Sequence, residues 1–132
     1  MTKQPLTSEE LAQLTLGLNM LARNLWWTWD QEAQDIFQEL SPRGWQNLYH
    51  NAVAVLREVS DYELRVRLQD HDFAGRVREA LGAFHAYLND QLTWGHRHAT
   101  PLQSNPVAYF SAEFGFHEIG RASCRERVYV LV

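Results

Sequence analysis

Leucines at positions 11, 14, 18, 21 and 25 recur at steps of three and four, the spacing that gathers side chains on one face of an α-helix. A face built of five leucines must leave water, so the chain can fold only by bringing other apolar helices against it. The start of this helix is marked too. Thr7 or Ser8 can cap the first amides, and Glu10 stands three residues after Thr7, as in a capping box. The segment runs into Leu25, Trp26, Trp27, Thr28 and Trp29, after which Asp30 can cap a second helix over Gln31 to Leu40. With Ile36, Phe37 and Leu40 apolar, the two helices are expected to form a helical hairpin.

Short helices follow. Ser41 and Pro42 give a start signal, because proline at the first helical position has no amide to leave unpaired, and the spacing predicts a helix through Tyr49. Asn51 to Val59 carries Val53, Val55, Leu56 and Val59, a composition that fits strands as well as helices. Ser60 and Asp61 can cap a further stretch through Leu68. From Phe73 to Trp94, Val77, Leu81, Phe84, Leu88 and Leu92 again follow helical steps, which predicts a second long helix closed by Gly95. His96 to Pro106 lacks periodicity and reads as a connector. Val107 to Ala112, VAYFSA, reads as one β-strand with no partner in the chain. The expected architecture is mainly α, with one orphan strand at the edge of a truncated second domain.

Composition removes several classes of function. With 12 Lys+Arg against 16 Asp+Glu, the chain lacks the basic field that nucleic acid requires. No apolar stretch approaches the roughly 20 residues that cross a bilayer, and the first ten residues do not form a signal peptide. No membrane partner and a cytoplasmic location are expected. One cysteine, Cys124, excludes a disulfide framework.

The remaining clusters give little chemistry. Trp26, Trp27 and Trp29 could stack on sugar rings or face another domain, but adjacent helical side chains diverge by about 100 degrees, which favours core packing. His96, Arg97 and His98 lack the carboxylates a metal site needs, so no metal is expected. Asp70, His71 and Asp72 read as a helix cap rather than a catalytic group. Neither a phosphate-cradling glycine loop nor a nucleophile elbow is present.

One motif points to a family. Tyr109 to Glu118 spell YFSAEFGFHE, and upstream stand NLWWTWD at 24–30 and SPRGWQNLYHNAVAVLREVS at 41–60. In this order the segments resemble the helical extension and first catalytic strand of bacterial α-glucan (glycogen or maltodextrin) phosphorylases. The resemblance implies a Rossmann-like α/β glycosyltransferase body after the strand. It also implies a parent enzyme that uses pyridoxal 5′-phosphate to transfer glucosyl units from α-1,4-glucan to inorganic phosphate, giving glucose 1-phosphate. By the same resemblance Glu113, Phe114 and Gly115 lie at the active-site cleft, Glu113 orienting basic groups and the other two shaping the turn.

The family's later glycine-rich loop, cofactor lysine and phosphate-binding residues have no counterpart here, and Lys3 is the only lysine. The expected division is therefore a helical domain over 1–99, a linker and first strand over 100–118, and a foreign tail over 119–132. That tail opens with IGRASCRERV, which is similar to the translation of a sequencing adapter. The chain itself is expected to bind no cofactor and to be structural and inactive, its partner being the missing catalytic domain. Two rival readings are a stand-alone helical interaction or carbohydrate-binding module, and the extension of a glycogen or starch synthase-like glucosyltransferase.

Overall fold

The computed structural model describes residues 5–93, 97–99, 101 and 105, and these contain helices and turns but no strand. Two compact units divide the chain, 1–85 and 86–132. The predicted strand over Val107 to Ala112, the Glu113, Phe114 and Gly115 motif, and the 119–132 segment lie outside the described residues.

Among the described residues the main elements follow in order: α1 (Ser8–Arg23), a 3₁₀ turn Leu25–Trp29, α2 (Gln31–Leu40), α3 (Pro42–Asn47), α4 (Ala52–Glu58), α5 (Asp61–Leu68) and α6 (His71–Leu88). Their starts follow the local chemistry. Thr7 Oγ1 accepts from the Glu10 amide at 3.2 Å while the Glu10 carboxylate accepts from the Thr7 amide at 2.8 Å, completing the capping box. Ser60 and Glu63 repeat the arrangement at α5. Asp30, Ser41 and Asn51 each accept an amide three residues on, at the starts of α2, α3 and α4. Asp70 Oδ1 accepts from the Asp72 and Phe73 amides, so the Asp70–His71–Asp72 run is a cap, as the sequence suggests.

Several expectations are corrected. The first helix stops at Arg23, because Asn24 turns extended and its Oδ1 accepts from the Trp26 amide at 2.9 Å, opening a 3₁₀ turn instead. Leu25 therefore leaves the leucine face and is half-buried. The hairpin is replaced too: α1 has α4, α5 and the 3₁₀ turn as its main backbone neighbours, while α2 lies against that turn, α3 and α4. The third helix ends at Asn47, and Tyr49 and His50 adopt left-handed φ of 53° and 58°, reversing the chain into α4. The valine-rich stretch is helical, with Val55 fully buried, so packing overrides propensity.

The last long helix stops at Leu88, six residues before Trp94. Beyond it the Asp90 carboxylate accepts from the Leu92 amide at 2.8 Å, a local turn that competes with helix. Leu88 and Leu92 are exposed.

In the first unit the core is made by Leu18 and Leu21 of α1, Ile36 and Phe37 of α2, Val55 of α4, Leu68 of α5, and Phe73, Val77 and Phe84 of α6, all within 2% of full burial. Gly17 allows α6 to approach α1: a Cβ there would collide with Leu81.

Candidate functional site

The short segment NLWWTW carries the most aromatic surface for its length, and the 3₁₀ turn decides how it is spent. Within the turn Thr28 Oγ1 donates to the Leu25 carbonyl at 2.7 Å, and Gln34 Nε2 of α2 donates to the Thr28 carbonyl at 2.8 Å. These bonds pin the turn against α2 and send successive indoles to different sides.

Trp26 goes to α6, with its ring 5.6 Å from Phe84 at 43°. Trp27 goes the other way. It meets Phe37 of α2 edge-on at 5.8 Å and 74°, and Trp45 of α3 at 5.9 Å and 67°. Trp45 in turn lies 5.1 Å from the His50 ring, which the left-handed backbone brings over it. Such edge-to-face pairs contribute about 0.5–1.5 kcal/mol each beyond the area they bury. Trp26 and Trp27 are buried, as core packing requires, whereas Trp29 is 68% exposed. The three do not form one platform; of the three, Trp29 alone offers an open indole. The sequence pointed to NLWWTW but not to Phe37, Trp45, His50 and Phe84, whose place beside it depends on how helices far apart in sequence meet.

A second cluster went unread in the sequence. Glu39 of α2 accepts from Arg67 Nη2 of α5 through Oε1 and from Arg76 Nη1 of α6 through Oε2, both at 2.6 Å. Arg76 Nε also donates to Glu32 at 2.5 Å. Hydrogen bonds first to Glu32 and then to Glu39 push the Arg76 guanidinium further toward its charged form. The two guanidinium carbons stand 5.3 and 6.0 Å from the centre of the buried Phe73 ring. Glu32 and Glu39 sit seven residues apart on one helix face, a visible spacing, but their partners lie 28 to 44 residues away. All four side chains are a third or more exposed. The cluster is a clasp joining three helices.

No group of histidine, cysteine and carboxylate able to hold a metal occurs among the described residues, and His96 lies outside them. Nor is any polar or charged side chain buried among them. No described helix is long and apolar enough to cross a membrane.

The helical scaffold can be set beside known proteins. The sequence pattern of the family described as "Protein of unknown function (DUF3417)" matches residues 9–119. The chain belongs to the DUF3417 family. Relatives of this DUF3417 chain include a glycogen phosphorylase of Mycobacterium tuberculosis (strain CDC 1551 / Oshkosh), 32% identical over 113 residues, which are 83% of this chain and 13% of the relative. A glycogen phosphorylase of Aquifex aeolicus is 30% identical over 101 residues, 76% of this chain and 14% of the relative. A maltodextrin phosphorylase of Thermococcus litoralis is 30% identical over 99 residues, 75% of this chain and 12% of the relative. The DUF3417 chain thus matches about one-eighth of these relatives' length. No solved structure matches it.

Proposed function

We propose that this chain is the N-terminal helical segment of an α-glucan phosphorylase and that its own task is structural, packing on the catalytic body and holding it in place. The observation that carries the reading is the 32% identity over 113 residues, 83% of this chain, to a glycogen phosphorylase. The scaffold character of the described residues supports it, since they bury apolar and aromatic surface and no polar side chain.

The parent enzyme transfers a glucosyl unit from the end of an α-1,4-glucan to inorganic phosphate, giving glucose 1-phosphate. Its cofactor is pyridoxal 5′-phosphate, whose phosphate group supplies proton donation and acceptance. The residues described here do not fit that cofactor. None of their polar side chains is buried, and Lys3, the only lysine, precedes them. The cofactor's lysine and phosphate-holding groups therefore belong to sequence outside this chain, and residues 1–132 alone are inactive.

The same reading divides the chain into a helical domain over 1–99, a linker and first strand of the catalytic body over 100–118, and a foreign tail over 119–132. The family match stops at residue 119, where IGRASCRERV begins, which supports the last division. Glu113 then orients basic groups at the edge of the cleft, with Phe114 and Gly115 forming the turn. Trp29, open at the surface, is the indole of the cluster left to meet the body or a sugar. A cytoplasmic location accords with a substrate pool of soluble glucan and phosphate.

The test is the source gene read past the codon for Phe116 and expressed whole. The expected product continues into a glycine-rich loop, takes up pyridoxal phosphate as seen by absorbance, and releases glucose 1-phosphate from maltodextrin and phosphate. A stop codon after Glu118 would favour a stand-alone module. A product requiring a nucleotide sugar would favour a synthase. Either outcome overturns the proposal.

A further inference from the structure

We draw no further inference here: the strongest candidate, the uncharged outer face of α1 on which Leu16 and Met20 stand exposed, is an unpartnered apolar surface patch, and nothing in the structure shows what covers it.

Discussion

Replacing Gly17 by alanine tests whether α6 rests on α1 where the structure places it. In an open helix interior Gly→Ala stabilises by about 1 kcal/mol, because glycine loses more backbone freedom on folding. Gly75 and Gly82 of α6 provide that reference, since a Cβ at either meets nothing within 4 Å. At Gly17 the added methyl would collide with Leu81 Cδ1 and stand 3.1 Å from Cδ2 and 3.4 Å from Cγ. Rotating one Leu81 methyl away brings the other in, and Leu81 is 91% buried, so it has little room to withdraw. Overpacking of this kind costs about 1–3 kcal/mol. The propensity gain offsets about one of these, leaving Gly17→Ala roughly neutral to about 2 kcal/mol destabilised. Against Gly82→Ala the gap is about 1–3 kcal/mol, near 1 M in urea midpoint for a slope of about 2 kcal/mol/M. Urea titration followed by far-UV circular dichroism reads it directly. Adding Leu81→Ala supplies a cycle: the two changes should couple favourably by at least about 1 kcal/mol, since the new methyl refills part of the cavity. If Gly17→Ala stabilises as much as Gly82→Ala, or the pair is additive, the α1–α6 contact is wrong.

Two other perturbations address the clasp and the caps. Glu39→Ala leaves Arg67 and Arg76 without their shared carboxylate; because all three are about a third exposed, a loss of only about 1 kcal/mol is expected, shrinking in high salt. A loss unchanged by salt would show that the ion pairs are not its source. Hydrogen bonds hold two capping carboxyls below the ordinary range, Glu10 mainly through the Thr7 amide and then its hydroxyl, Glu63 mainly through the Ser60 hydroxyl and then its amide. A carboxyl depressed in the folded state stabilises at and above the ordinary carboxyl range and loses that contribution as pH falls through its folded value. Thermal melts of Glu10→Gln with Glu63→Gln should therefore lie below the parent at neutral pH and converge with it in acid; a constant gap across pH would refute the assignment.

What could be read in the sequence was local. Thr7 with Glu10, Asp30, Ser41 and Ser60 announce helix starts because a cap is a bond between neighbours, and all are observed. Buried faces were legible for the same reason, since Leu14, Leu18 and Leu21, or Val77, Leu81 and Phe84, share a side by helix geometry alone. The aromatic segment was visible as a cluster, but its division between two buried indoles and an open one was not, because Asn24 ends α1 inside an unbroken leucine pattern.

The sequence by itself determined where most helices begin, how they are capped and, over most of their length, the sides they turn from water, since each of these depends on residues within one or two turns. Tertiary structure decided that α1 rests on α4 and α5 rather than on α2, that Glu39 meets two arginines from other helices, and that the 3₁₀ turn sends Trp26 toward Phe84 and Trp27 toward Trp45. Those choices follow from which apolar faces fill one another's space most completely, a property shared by all the elements together and carried by no single stretch of chain.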